Sequence, residues 1–357
     1  MLKIVNGEPL IRDDYAIHHM ANGIDELRFE LSADDSFYSL LEEEKTKIIE
    51  TTEEQTYVIK KINSINASVI VVCQLDLSDW RKDLLLNTAN LASPGFSHTL
   101  SETNMLARIM QAAGLSGWSR TSTVTSHITR SMEMEGPNPL EAALQLQKTF
   151  GCALRFRTQD KNVTILNPAE APISNSYAIE SVNLRRRPEY KGRSNDLYTR
   201  IYPVGKDGLG IASVNGGVPY LDNTSYTGPG VVICSLWKDA RYTDAASLKR
   251  DAQARLEAAA KTVRSWKLDV VDLNRIDPTR WPDMGLSIWT KILLQDTAKK
   301  VSEYVQVVSD VVYPYYPDKN QITVSTQSES LQDAVVRTSQ ALNDANSELW
   351  AQINARS

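Results

Sequence analysis

The residue types in this sequence that could carry catalysis or hold a metal are its histidines and cysteines. The histidines are His18, His19, His98 and His127, and the sequence has neither the His-x-x-x-His nor the Cys-x-x-Cys spacing typical of zinc sites. Adjacent side chains on a strand point to opposite faces, so His18 and His19 would not share a metal. No nucleophile lies in a recognisable elbow. We therefore predict no catalytic residue, no metal site and no cofactor.

The cysteines are odd in number and far apart in the chain. Cys73, Cys152 and Cys234 each lie beside apolar residues, as buried free thiols commonly do. A disulfide framework or a zinc site would need closer, paired spacing. The pattern predicts buried, unpaired thiols in a protein made in a reducing compartment.

Two further patterns resemble known motifs without meeting their requirements. Gly205, Gly208 and Gly210 could suggest a phosphate-binding loop, but such a loop runs into a helix and ends in Gly-Lys-Ser/Thr. The residues that follow here, IASV, have a strand-like composition, so the glycines are predicted to form turns. Glu133 and Glu135 could suggest glycoside hydrolysis, which needs two carboxylates at a defined separation across a sugar. Two acids at this spacing are also common on exposed strands.

The charge distribution argues against a general nucleic-acid binder. The formal net charge is −5, whereas nucleic-acid-binding domains carry a basic surface. Eight carboxylates and two lysines lie between residues 34 and 54, a run typical of a solvated loop or strand face.

Arg185, Arg186 and Arg187 could bind a phosphate group. With Glu189 close by, they are predicted to form a solvated or interface-paired face instead.

The composition is that of a globular protein with several domains. The chain of 357 residues is long enough for two or three domains, and its 42% hydrophobic and 23% charged content is ordinary. No apolar run reaches the ~18 residues expected of a membrane span. The first residues contain no apolar segment of the kind found in a secretory signal, and none is expected.

The first third of the chain has the alternating pattern of strands and then changes to helical spacing. Residues 1–97 contain four or five strand-like segments, which suggest a small antiparallel barrel or sandwich, with a short helix at 78–86. Residues 98–176 form a predicted α/β unit. Its two helices would begin at capping boxes, Thr99 to Glu102 and Asn138 to Glu141, and a hairpin would follow at 152–166.

The remaining patterns predict a β domain interrupted by an insertion. Residues 177–206 and 266–326 are strand-like, and 207–265 contain several turns and a long helix from about 244 to 265. Around the Lys206-Asp207-Gly208 turn, alternation on both sides predicts a β-hairpin. Its first strand would carry Leu197, Thr199 and Ile201, and its second would begin at Leu209 and Ile211.

The last segment, 327–357, has the spacing of an amphipathic helix. Apolar or small residues recur at intervals of four and three, which is a heptad seam of nearly three repeats; the seam is formed by Leu331, Val335, Thr338, Leu342, Ala345 and Leu349. The strongest positions for self-association are Leu331, Val335, Leu342 and Leu349. Packing of the same helix on its own domain explains the pattern equally well.

Several phrases occur in an order that resembles the prophage tail, or phage minor structural, protein family. The resemblance spans residues 17–324 and rests on EQTYVIK (54–60) with CQLDL (73–77), PLEAAL (139–144) with FGCAL (150–154), DLYTRIYPVG (196–205) with DGL (207–209), WKD (237–239) and DMGL (283–286). The last phrase departs from the family, which tends to carry Leu-Gly-Asp there.

Members of this family are similar to the baseplate hubs of phage tails, and this implies the fold class and the function. The resemblance implies an α+β, multidomain chain with two antiparallel β-barrels (1–97; 177–206 with 266–326), an α/β domain between them, an inserted helical subdomain and a C-terminal helix. It also implies a ring of three chains that caps the tail tube and forms part of the DNA-ejection channel. The implied partners are further copies of the chain, the tail tube or distal tail protein, and the tape-measure protein. Neither sequence-specific nucleic acid nor stable membrane insertion is expected, and the implied location is the virion tail tip, after synthesis in the host cytoplasm.

Two alternatives to a purely structural role are open. Some tail-associated proteins carry a peptidoglycan-cleaving domain, although none is visible in this sequence. A glycan-binding tail protein would stack aromatic rings on sugars, and Tyr313, Tyr315 and Tyr316 could do so. Part of the acidic run at 34–54 is expected to face the channel or the tube-docking surface, because an anionic wall does not bind phosphate.

Overall fold

A computed structural model describes residues 1–4, 9–10, 13–20, 23–91, 93–127, 129–179, 181–240 and 242–326. Its contacts divide the chain into two compact units. The smaller unit is Tyr190–Trp266, and the larger one contains the remainder of the chain. No helix within these ranges is long and apolar enough to cross a membrane. The proposed seam residues Leu331, Val335, Leu342 and Leu349 lie outside the described residues.

Strands greatly outnumber helices in the described chain. The helices are α1 (Glu102–Ala112), α2 (Pro139–Phe150), α3 (Ala245–Ala259) and α4 (Leu273–Ile276). The strands are β1 (Leu2–Ile4), β2 (Pro9–Leu10), β3 (Ala16–His19), β4 (Glu26–Ser32), β5 (Lys47–Glu50), β6 (Gln55–Ile65), β7 (Ser68–Leu75), β8 (Phe96–Ser101), β9 (Ser119–Ser122), β10 (Thr129–Met134), β11 (Ala153–Arg157), β12 (Asn162–Leu166), β13 (Ile173–Ile179), β14 (Glu189–Arg193), β15 (Arg200–Val204), β16 (Leu221–Asp222), β17 (Cys234–Lys238), β18 (Val263–Asp269), β19 (Lys291–Asp296), β20 (Val301–Val312) and β21 (Gln321–Ser325).

The larger unit is built on one long, mostly antiparallel sheet. Its strands follow the order β21-β20-β3-β4-β7-β6-β5-β1-β2, and β13 and β19 attach at β20. The alternation seen in the sequence is real here: along β7 every second residue is buried, from Val69 to Leu75. Such alternation gives the sheet one apolar face, which packs into the main core.

The two predicted barrels are not confirmed. The α+β class is confirmed, with helices beside mainly antiparallel sheets. However, β3 pairs with β20, and this joins the strands of 1–97 to those of 266–326 in one sheet. The strands of the described ranges form no closed barrel. Patterning within each segment could not show this pairing, because His19 and Asp310 are 291 residues apart in sequence.

The predicted α/β unit packs against this sheet through its helices and a ring cluster. In α2, Asn138 accepts from the Glu141 N–H and the Glu141 side chain accepts from the Asn138 N–H, so the predicted capping box is confirmed. The predicted box at Thr99 is wrong, because Thr99 lies within β8, opposite Ser131. The predicted hairpin is confirmed as β11 and β12. The predicted helix at 78–86 is only a short 3₁₀ turn, Ser78–Arg81, which places Trp80 in edge-to-face contact with Trp118 and Phe156.

The smaller unit packs one helix on a three-stranded sheet. The strand order is β16-β15-β17, with β16 antiparallel and β17 parallel to β15. The helix α3 places Leu248, Ala252 and Leu256 against Ile201 and Ile211. The predicted long helix is confirmed, although its last predicted residues, from Val263 onward, belong to β18.

The predicted hairpin at Lys206-Asp207-Gly208 is wrong. Asp207 and Gly208 have positive φ values of 53° and 81°, as a tight turn requires. The turn closes at once, since the Gly205 N–H donates to the Leu209 carbonyl at 2.7 Å. The chain then enters a second 3₁₀ turn, and Ile211 fills the core instead of extending a ladder.

Candidate functional site

The residues that could carry chemistry do not converge on one site. His98 is half-buried and accepts a hydrogen bond from Arg108 at 3.2 Å. Burial, with smaller contributions from Arg28 and His19, lowers the pKa of His18 to about 3. Within the described ranges, no group of three or more His, Cys, Asp or Glu side chains could hold a metal ion.

The cysteines divide into two environments. Cys73 and Cys152 are buried, as predicted, and burial raises the pKa of both thiols, that of Cys152 to about 12. The prediction is wrong for Cys234, which is exposed. Cys234 lies on the face of its sheet that is opposite α3, because it pairs with Arg200 rather than with the inward-facing Ile201. The apolar neighbours Val232 and Ile233, which suggested a core position, are themselves exposed.

The strongest concentration of buried charge lies where β3 meets β20. His19 Nδ1 bonds to Asp310, its cross-strand neighbour, and His19 Nε2 bonds to Glu53 Oε2 at 2.8 Å. Arg275, at the end of α4, donates to the other oxygen of Glu53 at 2.9 Å. A carboxylate only accepts hydrogen bonds, so a ring held between two carboxylates donates from both nitrogens and is an imidazolium. We name His19, Glu53, Arg275 and Asp310 the joint cluster.

The pKa values follow from the same contacts. Burial opposes charge on His19, but Asp310 and Glu53 outweigh it and hold the His19 pKa well above its usual range. Burial also opposes charge on Glu53, but His19 and then Arg275 lower its pKa to about 2. Asp25 faces the same ring, and its pKa is raised to about 6, chiefly by burial. The joint cluster therefore links His19 and Glu53, from the first part of the sequence, to Arg275 and Asp310, from a later part. Each buried charge is stabilised by an opposite charge in the cluster.

Sequence reasoning missed this cluster. Glu53 lies in the acidic run that was predicted to be solvated, and its partners come from residues far away in sequence. The acidic run has a buried part and an exposed part. Glu50 is fully buried and accepts from the Tyr15 hydroxyl and from the Thr52 N–H. The outward side of the run is exposed, and we name it the acidic surface: Asp34, Glu42, Glu43, Glu44 and Glu54.

The other predicted candidates are engaged within the protein. Arg185 donates to the Asp318 carbonyl at 2.9 Å and Arg186 pairs with Asp269 at 2.6 Å. All three arginines are exposed, as the solvated alternative predicts. Tyr315 makes an edge contact with Tyr15, at 6.0 Å between ring centres.

The three further candidate residues are Tyr316, Glu133 and Glu135. The Tyr316 hydroxyl donates to Asp13 at 3.1 Å. Glu133 and Glu135 are exposed, Glu133 on β10 and Glu135 just beyond its end.

One groove combines a histidine with hydroxyl groups. His127 Nδ1 bonds to the buried carboxylate of Glu102, and Thr103, Arg120 and Ser122 line the groove beside it. A His–carboxylate pair activates a serine only when the other ring nitrogen reaches the hydroxyl. Among the described residues, no hydroxyl group bonds to His127 Nε2, so the groove lacks the contact that acyl transfer needs.

Comparison with known proteins agrees with the resemblance in the sequence. A family model described as prophage endopeptidase tail matches residues 187–335. The resemblance to prophage tail proteins is confirmed. No protein of curated function matches this sequence.

The same fold occurs in solved tail proteins. Prophage tail protein gp18 from Listeria monocytogenes EGD-e is 14% identical with a TM-score of 0.61, and 93% of each chain is covered. The 43 kDa tail protein of prophage MuSo2 from Shewanella oneidensis is 12% identical with a TM-score of 0.60, over 92% of this chain and 98% of that one. The tail protein from Neisseria meningitidis MC58 is 8% identical with a TM-score of 0.62, over 93% and 98%. At these identities the likeness is one of fold.

Proposed function

We propose that this protein is a structural component of a phage or prophage tail and acts in the baseplate hub at the tail tip. Three copies would form a ring that caps the tail tube and lines part of the DNA-ejection channel. The partners would be further copies of the chain, the tube or distal tail protein, and the tape-measure protein. Synthesis in the host cytoplasm would precede incorporation into the virion.

The observation that carries this proposal is the extent of the fold likeness. Three solved proteins that are described as tail proteins cover at least 92% of this chain, and at least 93% of their own lengths is covered in return. A likeness over both compact units supports a shared role better than one shared domain would, because fold alone does not fix function.

The acidic surface supports a channel or docking role. Asp34 lies in the turn after β4, and the other carboxylates lie beside β5. Ion pairs neutralise only part of the charge, as between Glu42 and Lys45 and between Glu44 and Lys60. Binding of DNA phosphates requires cations on the protein. A wall of carboxylates would therefore let DNA pass without holding it.

A second candidate is an endopeptidase, because the description of the matching family model contains that word; its substrate in a tail tip would be peptidoglycan. The matched segment, 187–335, contains no histidine. It therefore has neither the general base of a Ser-His or Cys-His site nor the imidazole ligands of common zinc peptidases. This favours an assembly role. A zymogram on bacterial cell walls tests the point, and a lysis band from the purified chain would support the enzyme instead.

The test of the proposed function is deletion of the coding sequence in a host that produces the particle. Loss of a hub component should give tubes without completed tips and a loss of infectivity. Expression of the chain from a plasmid should restore both. Intact, infectious particles in the deletion strain would contradict the proposal.

A further inference from the structure

The groove beside His127 lies in the larger unit, between the start of α1, the strand β9 and the segment that follows β9. We name it the histidine groove, and its walls include Thr103, Arg120, Ser122, Val124, His127 and Ile165. Its volume is about 430 Å³, which lies within the range of small-molecule sites, about 300–1,000 Å³. The groove is therefore large enough to hold a small ligand.

His127 is held in one orientation by a buried carboxylate. Its Nδ1 bonds to Glu102, which is only 3% exposed. An ionised carboxylate accepts hydrogen bonds and does not donate them, so Nδ1 carries a proton in this contact. The other ring nitrogen, Nε2, has no hydrogen-bond partner among the described residues, and about half of the side chain is exposed. Nε2 is therefore the ring atom that can meet a ligand in the groove.

A second carboxylate fixes the segment that carries His127. Glu170 accepts hydrogen bonds from the Thr125 N–H at 2.8 Å, from the Thr125 hydroxyl at 2.7 Å and from the Ser126 N–H at 3.1 Å. The bonds from Thr125 are the main reason that the pKa of Glu170 falls to about 2, so this support stays ionised at neutral pH. Groups that are in position before a ligand arrives lose less conformational freedom when it binds.

The other polar groups of the histidine groove are donors with capacity to spare. Within the described ranges, Arg120 makes no ion pair and no hydrogen bond. The Ser122 oxygen accepts from the Val124 N–H at 3.1 Å, which leaves the Ser122 O–H free to donate. The Thr103 hydroxyl has only a long contact of 3.5 Å, with the hydroxyl of Ser101. A ligand here would meet a guanidinium group, two hydroxyls and one imidazole nitrogen.

The charge of the histidine groove differs from that of the chain as a whole. Among the described residues, no carboxylate lines this groove, although the formal net charge of the chain is −5. Glu102 and Glu170, which support it, already accept hydrogen bonds from the protein. Donors around a groove without a carboxylate in its walls favour an anionic ligand, because charge-assisted hydrogen bonds are the strong ones.

We propose that the histidine groove binds a phosphate group, as free phosphate or as the monoester of a small organic molecule. Arg120 would donate to two phosphate oxygens, and Nε2 of a protonated His127 and the Ser122 hydroxyl would donate to the others. A tetrahedral phosphate presents oxygens to donors on several sides, whereas a planar carboxylate accepts in one plane. The organic part of a monoester would lie on Val124 and Ile165. This site goes beyond the proposed hub function and does not depend on it.

The test is a titration of the full chain, isotopically labelled at histidine, followed by NMR of the imidazole signals. Inorganic phosphate is added at constant ionic strength, and His127→Gln identifies the His127 signal by its loss. We expect a saturable shift of the His127 signal and none for His98, whose ring bonds to Arg108. Glycerol 3-phosphate is the second probe. Tighter binding of this probe than of inorganic phosphate assigns the site to a monoester, and equal or weaker binding assigns it to free phosphate.

A pair of arginine variants tests which groups bind the phosphate. Arg120→Gln should remain folded, because Arg120 is exposed. It should weaken phosphate binding by about tenfold or more, as expected for the loss of a charged hydrogen bond. Arg280→Gln, at another exposed arginine of the larger unit, should bind phosphate as the wild type does. Circular dichroism of each variant checks that it is folded.

A saturable shift of His127 that Arg120→Gln weakens and Arg280→Gln preserves supports the proposal. Three results overturn it: no shift of His127 with either probe, a shift that Arg120→Gln leaves unchanged, or acetate that binds as tightly as phosphate. The deletion phenotype of the coding sequence tests the hub role separately, so the two can fail independently.

Discussion

At the scale of single residues, the joint cluster is the feature with the clearest physical consequence. The His19 ring is held between Asp310 and Glu53, and Arg275 neutralises the second oxygen of Glu53. Removing one member of a buried ion network leaves another charge without a partner, which typically costs roughly 3–5 kcal/mol. The cluster therefore makes the pairing of β3 with β20 dependent on pH.

The sign of that dependence follows from the pKa shifts. The His19 pKa is raised above 6.5, so its stabilisation is complete below about 6.5 and is lost as the pH rises through the raised value. The Glu53 pKa falls from 4.5 to about 2, so its stabilisation is complete above 4.5 and is lost as the pH falls towards 2. The Asp25 pKa is raised from 3.8 to about 6, so Asp25 lowers the stability as the pH rises from about 4 to about 6, and its cost is constant at higher pH.

We expect the free energy of unfolding of the wild type to decline on the alkaline side, and His19→Gln to be less stable with a flatter alkaline limb. The expected loss at mildly acidic pH is roughly 3 kcal/mol. Urea unfolding followed by tryptophan fluorescence across a pH series measures both. Asp25→Asn is the control, because it removes the group whose effect lies between about pH 4 and 6 and should keep the decline at higher pH that is due to His19. Parallel curves for His19→Gln and the wild type would contradict the assignment.

At the level of helices and strands, the sequence predicted an element correctly where the contacts that stabilise it lie within a few consecutive residues. The box at Asn138 and Glu141 needs only four consecutive residues, and it was predicted correctly. The equivalent pattern at Thr99 failed because β10 pairs with β8 and keeps Thr99 extended. The hairpin at Asp207 failed for a similar reason, since burial of Ile211 in the core outweighs its tendency to extend a strand.

The difference in stability that the N-terminal caps of α2 and α1 contribute can be measured with a matched pair of substitutions. Asn138→Ala should destabilise the protein by about 1 kcal/mol, because the Glu141 N–H loses its acceptor. Ser101→Ala at the start of α1 should cost much less, since the Ser101 side chain makes no capping hydrogen bond. Thermal or urea unfolding of both variants tests this. An equal cost at the two positions would show that the cap at α2 contributes nothing specific.

At the scale of the whole molecule, the sequence was sufficient for the α+β class and the family resemblance but not for the connection between β segments. Periodicity describes each strand by itself, and the pairing of β3 with β20 depends on residues 291 positions apart. The joint cluster was missed for the same reason. In the sequence, Glu53 cannot be distinguished from its solvated neighbours, because its partners His19 and Arg275 approach it only in the folded chain.

The acidic surface belongs to this scale, because its role depends on the assembly. Glu43→Lys with Glu54→Lys changes two exposed carboxylates and should leave the stability of the isolated chain nearly unchanged. In particles, we expect slower DNA ejection or weaker tube docking, because the reversed charges attract phosphate. The matched control is Glu133→Lys with Glu135→Lys, which makes the same charge change elsewhere. Equal effects of the two pairs on ejection would remove any special role from the acidic surface.

A cryo-electron microscopy reconstruction of the tail tip, from particles that contain this chain, would show directly whether the chain is a hub component. We expect three copies in a ring at the end of the tube, with the acidic surface towards the channel or the tube. Particles whose tips are complete without this chain, or in which it lies away from the tube and the channel, would contradict the claim.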